Sequence, residues 1–204
     1  MKEYLIKTFD NIPQNPEAIP YVSIDSYVWG KEYTPKSKAG LIMIKNQGFY
    51  LYMECREKEP RAVYHNYNDP VYTDSCLEFF AKWYAGSDKY INMEMNSAGA
   101  LLSCVGSGRE NRRPLSEFTG GKVFRVDAVV NDNYWSVSSL IPFSVLEQVY
   151  GIDKDIFASG YCFSGNFYKC GDNTQIPHYG SWNRVLAEKP DFHRPEYFGK
   201  LIIE

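Results

Sequence analysis

The sequence predicts an all-β fold, an antiparallel β-sandwich with one short helix. Many short segments alternate apolar and polar residues with a period of two, which is typical of strands that are buried on one side. Turn-forming residues separate these segments, and only one stretch has the features of a helix. No repeat, linker or low-complexity tract interrupts the 204 residues. We therefore expect a single domain spanning residues 1–204.

The first strands precede a hairpin that is predicted to lie deep in its sheet. Residues 4–9 alternate and predict an edge strand, and residues 21–24 form a second short strand after a proline-rich loop. Residues 39–44 and 49–55 are almost continuously apolar and are joined by a turn containing Gly48. Continuous apolar runs of this length indicate strands covered on both faces.

Two central segments, residues 72–80 and 90–96, have one apolar and one polar face. The first points Leu77, Phe79 and Ala81 to one side and Glu78 to the other. The second places on its polar side Tyr90, Asn92, Glu94 and Asn96. If the two pair as a hairpin, carboxylates, amides and aromatic rings share one surface. Such a surface suits a polar ligand with an apolar underside, which describes a sugar.

The second half of the chain contains further strands and the predicted helix. Residues 100–105, 123–130, 135–141, 157–168 and 200–203 have strand patterns, whereas residues 170–195 are predicted to form a loop. Residues 143–150 are predicted to form the helix, with Ser144 as the N-terminal cap and Gly151 at its end.

Composition excludes some partners. The net charge is −3 and no basic stripe is present, so we expect no nucleic-acid partner. The close basic group Arg109, Arg112 and Arg113 is predicted to lie in a solvated loop. No apolar run is long enough to span a bilayer, which predicts no membrane partner. No secretory leader is visible, which predicts a cytoplasmic location, or secretion if a leader has been removed. Five widely spaced cysteines, an odd number, favour reduced thiols. The oligomeric state is left open.

An ordered set of segments resembles the family 9 carbohydrate-binding modules, a branch of the DOMON-like β-sandwiches. These segments span most of the chain after about residue 29 and comprise residues 69–80, 90–99, 135–143, 177–182 and 191–199. The resemblance implies a jelly-roll-like, non-catalytic sandwich that binds a mono- or oligosaccharide, in the best-known members at the reducing end of a glycan. It also implies a place in polysaccharide breakdown and carbohydrate catabolism, two aromatic rings on either side of the sugar, and calcium as a common bound ion.

The resemblance also assigns roles to particular residues. Tyr72 lies where the family usually has the first stacking tryptophan, and Glu78 matches the glutamate that binds sugar hydroxyls. Trp182 is the candidate for the second ring. The sugar hydroxyls would be bound by polar groups from the hairpin and the C-terminal loop. The complete predicted set of ligand-binding residues is Tyr72, Glu78, Asn92, Asn96, Trp182 and Arg184.

Each of these assignments has a structural alternative. The polar residues of the hairpin are equally typical of a solvated sheet face, and Trp182 of a core residue. Trp83 at the hairpin tip is a reserve aromatic residue for the site. Trp29 and Trp135 are expected to pack in the core.

The sequence is also compatible with two other functions. Glu78 and Glu94 on adjacent strands could form the carboxyl pair of a glycoside hydrolase. DOMON-like sandwiches can also hold haem between methionine and histidine ligands. The residues that could serve are Met43, Met53, His178 and His193.

For calcium, the sequence offers several carboxylates but no recognisable ligand loop. The candidate ligands are Asp10, Asp25, Asp69 and Asp74. Calcium is therefore expected only through the family resemblance.

Overall fold

The computed structural model describes all residues, 1–204. It contains fifteen strands, one α-helix and five short 3-10 turns. The strands are β1 (Glu3–Ile6), β2 (Thr8–Phe9), β3 (Val22–Ile24), β4 (Ser26–Trp29), β5 (Ser37–Ile44), β6 (Gly48–Cys55), β7 (Cys76–Lys82), β8 (Tyr90–Asn96), β9 (Leu101–Gly106), β10 (Arg112–Pro114), β11 (Asp127–Val130), β12 (Trp135–Pro142), β13 (Cys162–Gly171), β14 (His178–Ser181) and β15 (Gly199–Ile203). The helix α1 spans Phe143–Tyr150.

The strands form two packed sheets, which confirms the predicted all-β sandwich. The nine-stranded sheet has the order β1-β15-β13-β7-β8-β9-β10, and its strand β14 pairs with β13 and β4. The six-stranded sheet has the order β11-β12-β6-β5-β2, with β3 also pairing with β5. The sandwich is not wholly antiparallel, because β1 runs parallel to β15 and β2 runs parallel to β5.

The main core lies between the two sheets and follows the predicted alternation. On β7, Leu77 and Phe79 face this core, where Phe79 stacks on Phe167 of β13 with ring centroids 4.9 Å apart. From the six-stranded sheet, Phe49 packs against Trp83. Residues of the opposite parity on β7, β8 and β13 form a smaller apolar cluster on the outer face of the nine-stranded sheet. That outer face carries the candidate site.

Several predicted elements differ at their ends. Residues 123–126 are not a strand, because β11 begins at Asp127. The segment predicted as a loop, residues 170–195, contains β14. Helix α1 has the predicted bounds and ends at Gly151, which has φ of 66°, but Ser144 lies inside it and Pro142 precedes its first residue. Trp83 is only 1% exposed and stacks on Phe163, so it is a core residue and not a reserve ring.

None of the helices has both the length and the apolar character needed to cross a membrane.

Candidate functional site

A cavity of about 370 Å³ opens on the outer face of the nine-stranded sheet. Strands β7, β8 and β13 supply its floor through Glu78, Glu94 and Cys170. Its rings are Tyr72, Tyr179 and Phe192. Its charged and polar rim includes Arg109, Arg112, Asp172, Asp191 and His193. The size lies in the range of small-molecule sites.

Glu78 and Glu94 form the floor because the β7–β8 register places them directly opposite each other. Each is 3% exposed. Burial raises the pKa of Glu94 to about 7, even though Arg112 lowers it. Burial and the charge of Glu94 together raise the pKa of Glu78 well above its ordinary value. Near neutral pH the pair therefore retains at least one proton, and the floor both donates and accepts hydrogen bonds.

Arg112 projects from β10 towards these carboxyls. Its Nε donates to the carbonyl oxygen of Arg109 at 3.1 Å, which fixes the side chain. Its Nη1 lies 3.8 Å from Oε1 of Glu94, beyond hydrogen-bond reach, and this buried atom makes no hydrogen bond within the protein. Buried polar atoms are almost always partnered. The guanidinium is thus placed to donate to a ligand oxygen in the cavity.

The aromatic wall combines one exposed ring with two supported ones. Tyr72 lies in the 3-10 turn Val71–Thr73 just before β7 and is 39% exposed. Phe192 is held by stacking on Tyr168, with centroids 4.1 Å apart and planes 13° apart. Tyr179 lies 6.4 Å from Phe192, centroid to centroid, in an edge-on arrangement. These rings give the cavity apolar faces beside its polar floor.

His193 completes the rim as a neutral side chain. Its Nδ1 lies 2.9 Å from the hydroxyl of Tyr90, and its ring stacks on Phe80. Burial, together with the charges of Arg112 and Arg109, lowers its pKa to about 3. His193 therefore carries no charge near neutral pH and acts as a hydrogen-bonding support of the wall.

Of the predicted ligand-binding residues, the structure brings Tyr72 and Glu78 together in the cavity. Asn92 is completely buried, and its Nδ2 donates to Oε1 of Glu94 at 3.0 Å, so it orients the floor instead of lining it. Asn96 donates to Oδ2 of Asp74 and to the carbonyl oxygen of Tyr64, and its own Oδ1 accepts from two backbone amides. Asn96 is therefore a structural residue of the loops.

Trp182 and Arg184 do not reach the cavity. Trp182 is 2% exposed and packs between the sheets against Tyr4 and Phe167, on the side of the nine-stranded sheet opposite to Tyr72. Its predicted role as the second ring is corrected by this position, and Phe192 and Tyr179 are the rings that face the cavity. Arg184 is exposed outside the cavity lining.

The sequence does not reveal the arginines of the site. Arg109 and Arg112 are predicted to lie in a solvated loop, but β10 pairs with β9 and brings both to the cavity. A strand of three residues is too short to show a period of two, so the pattern gave no signal. Phe192 and His193 lie in segment 191–199, one of the segments that carry the family resemblance. That resemblance is the one sequence feature that points to them as residues of the site.

The calcium candidates do not converge. Asp10 and Asp25 pair with Lys45 and Lys2, respectively, and Asp69 accepts hydrogen bonds from its own loop. Asp74 is engaged by two backbone amides, by Asn96 and by Arg61. No three of these carboxylates share a ligand position, so they do not fit a calcium cage built from side chains.

Two of the haem candidates, Met53 and His193, lie on opposite faces of the nine-stranded sheet. Met53 is buried in the core between the sheets, whereas His193 lines the cavity on the outer face. His178 lies on the inner face, where its Nε2 is 2.8 Å from Nζ of Lys169. No methionine lines the cavity that holds His193.

Comparisons with known proteins agree with this architecture. The solved structure of a candidate carbohydrate-binding protein from Bacteroides uniformis is similar to this chain, with a TM-score of 0.84 and 28% sequence identity. The match covers 100% of this chain and 99% of that protein. The family 9 carbohydrate-binding module of Caldicellulosiruptor kristjanssonii, solved with cellotriose and with glucose, matches at 10% identity over 100% of this chain. TM-scores are 0.66 and 0.65, with 94% and 96% of those chains covered.

At 10% identity these two complexes establish likeness of fold alone. No curated protein sequence matches the chain significantly. The sequence profile of carbohydrate-binding family 9 matches residues 10–203, which is nearly the whole length. The chain therefore belongs to carbohydrate-binding family 9.

Proposed function

We propose that the cavity on the nine-stranded sheet binds a saccharide without chemically changing it. The observation that carries the proposal is the unpartnered Nη1 of Arg112 beside the buried Glu78–Glu94 pair, in a cavity with an exposed tyrosine ring. Membership of a carbohydrate-binding family supports the same conclusion.

Sugar chemistry suits this set of groups. A pyranose has an apolar C–H face, which an exposed ring such as Tyr72 can cover, and it carries hydroxyls that both donate and accept. Hydrogen bonds to charged groups contribute about 1.5–3 kcal/mol each, more than neutral ones. Arg112 supplies a charged donor and Glu78 with Glu94 supplies acceptors and a proton. The rings and the floor thus match different sides of one ligand.

The family resemblance favours the end of a saccharide over the middle of a chain. The carboxyl pair and Cys170 close the floor, while the rim residues Arg109 and Asp191 flank the opening. We infer that one terminal sugar enters and that further units extend towards solvent. A role in polysaccharide breakdown belongs to the same proposal and follows from the family resemblance.

Calorimetric titration tests the proposal. Glucose, xylose and their β-1,4-linked oligosaccharides are titrated into the wild-type protein and into Tyr72→Ala and Glu78→Gln. We expect saturable binding by at least one sugar, weakened at least tenfold in both variants. Arg113→Ala is the control, because Arg113 pairs with Glu117 on the surface outside the cavity. Flat heats across the panel, or binding unaffected by both cavity variants, would contradict the proposal.

The same samples test for hydrolysis. If Glu78 and Glu94 were catalytic, reducing sugar would accumulate with wild-type protein and not with Glu78→Gln. We expect no release above the buffer blank. Accumulation that depends on Glu78 would replace the binding proposal with the hydrolase alternative.

A further inference from the structure

Two thiols and a carboxyl meet beneath the cavity. The β7–β13 register places Cys76 directly opposite Cys170, and Glu78 follows two residues later on the same face of β7. One ligand atom from each side chain lies within 4.8 Å of the other two. Sγ of Cys170 and Oε1 of Glu78 are 2.8 Å apart. All three side chains are buried.

We propose that Cys76, Cys170 and Glu78 form a binding site for a thiophilic divalent cation of the zinc class. Thiolate sulfur with one carboxylate oxygen is a donor set that Zn²⁺ accepts and that a hard cation such as Ca²⁺ does not prefer. The site goes beyond saccharide binding and does not depend on it. Its three donors come from two adjacent central strands, so their positions are fixed by the sheet.

The separation between Cys170 and Glu78 requires only a small adjustment. With Zn–S near 2.3 Å and Zn–O near 2.0 Å, tetrahedral ligands lie about 3.8 Å apart for two sulfurs and about 3.5 Å apart for sulfur and oxygen. The Cys170–Glu78 contact must therefore widen by about 0.7 Å, which a rotation of the Glu78 side chain can supply. Glu78 and Cys170 also line the cavity, so the fourth position faces it. A water or a sugar hydroxyl can fill that position.

Protons compete with the cation for this site. Burial raises the pKa of Cys76 to about 12 and holds that of Cys170 well above its ordinary value. Binding one M²⁺ through both sulfurs and the Glu78 carboxylate releases both thiol protons and, where Glu78 is protonated, its carboxyl proton as well. The affinity for the cation should therefore rise with pH.

Neighbouring charges act on this balance from several elements. Glu94 on β8 and Asp172 after β13 disfavour further negative charge at the cluster, whereas Arg112 on β10 and Lys169 on β13 favour it. Each of these groups contributes to the proton competition. The remaining cysteines, Cys55, Cys104 and Cys162, belong to no such cluster.

The test uses the full chain, reduced with a phosphine and stripped of metal. Zn²⁺ is titrated against a chromogenic chelator, and Cd²⁺ is titrated while the ultraviolet charge-transfer band of the cadmium–thiolate bond is recorded. We expect one equivalent of each cation and two thiolate bonds. Cys76→Ser and Cys170→Ser should each weaken binding at least 100-fold. Cys162→Ser, which changes an exposed cysteine, should bind like the wild type.

A measurement on the wild-type chain tests the proposal even if the cysteine variants fail to fold. Zn²⁺ should slow alkylation of Cys76 and Cys170 at least tenfold, as followed by peptide mass spectrometry, and leave Cys162 unprotected. Absence of stoichiometric binding, unchanged alkylation rates, or a Cys76–Cys170 disulfide in the reduced sample would overturn the proposal. Tyr72→Ala should keep the cation while binding the sugar about tenfold more weakly, which separates failure of this site from failure of saccharide binding.

Discussion

Two groups of buried charges lie on opposite faces of the nine-stranded sheet, and they differ in whether the protein satisfies them. On the inner face, Lys169 of β13 reaches Glu57 at 3.3 Å, Nε2 of His178 at 2.8 Å and the carbonyl oxygen of Cys170 at 2.8 Å. Oε2 of Glu57 also accepts from Nε1 of Trp135 at 3.1 Å. Every donor of the ammonium has a partner, so this group connects the two sheets.

On the outer face, the protein leaves its charges incompletely paired. Glu78 and Glu94 are both acids, and Nη1 of Arg112 lies 3.8 Å from the nearest of them. Burying charge without complete pairing costs free energy. The comparison teaches that the inner group serves stability and the outer group serves a ligand.

The largest effect is expected from Lys169→Met. The variant leaves Glu57 buried without its cation, and the free energy of unfolding should fall by about 3–5 kcal/mol. Urea unfolding followed by fluorescence measures it. The double variant Lys169→Met/Glu57→Gln removes both charges, keeps an acceptor for Trp135 and should recover at least half of the loss. A cost below about 1 kcal/mol for the single variant would show that the inner group is not structural.

On the outer face, the buried carboxyl of Glu94 should lower the stability of the protein when it loses its proton. Because folding raises the pKa of Glu94 to about 7, the folded state binds more protons than the unfolded state between about pH 4.5 and 7. Stability should therefore fall as the pH rises from 5 to 8, by on the order of 3 kcal/mol relative to Glu94→Gln. His178 and His193 titrate in both proteins, so the difference reports Glu94 together with the Glu78 carboxyl whose pKa it raises. Parallel stability curves for the two proteins would contradict this.

Arg112→Met should affect binding more than folding. It removes the charged donor to the ligand, and the Kd for the bound sugar should rise about 10- to 100-fold. The neighbouring Arg113→Met is the matched control and should leave the Kd within twofold. Calorimetry measures the affinity, and urea unfolding should show less than about 1 kcal/mol difference. Equal losses of affinity in both variants would indicate a general charge effect instead.

Tyr72→Ala and Trp182→Ala should separate an aromatic residue that binds the ligand from one that stabilises the core. Of the effects on affinity, that of Tyr72→Ala should be the smallest. Loss of the Tyr72 ring should weaken the sugar about tenfold, since one aromatic contact contributes about 0.5–1.5 kcal/mol beyond its burial, and should scarcely change stability. Trp182→Ala should instead lower stability by about 3–5 kcal/mol, as expected for a large core residue. A tenfold loss of affinity in folded Trp182→Ala, with none in Tyr72→Ala, would reverse the assignment.

The sequence predicted the parts of the site that depend on regular alternation. Glu78 and Glu94 could be placed on one face because β7 and β8 are long enough to show period two. Arg112 could not, since β10 has three residues. The position of Trp182 is predicted wrongly because it directly follows β14, which ends at Ser181. That strand has four residues, too few to show alternation within a segment that is predicted to be a loop. Phe192, a loop residue, is positioned by stacking on Tyr168, which is distant in sequence. The local pattern of apolar and polar residues does not encode such a tertiary contact.

A crystal structure of the protein with the sugar that gives the strongest calorimetric signal tests the central claim most directly. The account predicts density for one pyranose in contact with the Tyr72 ring and with Phe192 or Tyr179. Its hydroxyls should lie within 3.2 Å of Nη1 of Arg112 and of a carboxyl oxygen of Glu78 or Glu94. A sugar bound elsewhere, for example in the groove lined by Tyr27, Lys38 and Arg56, with this cavity free of it, would contradict the account.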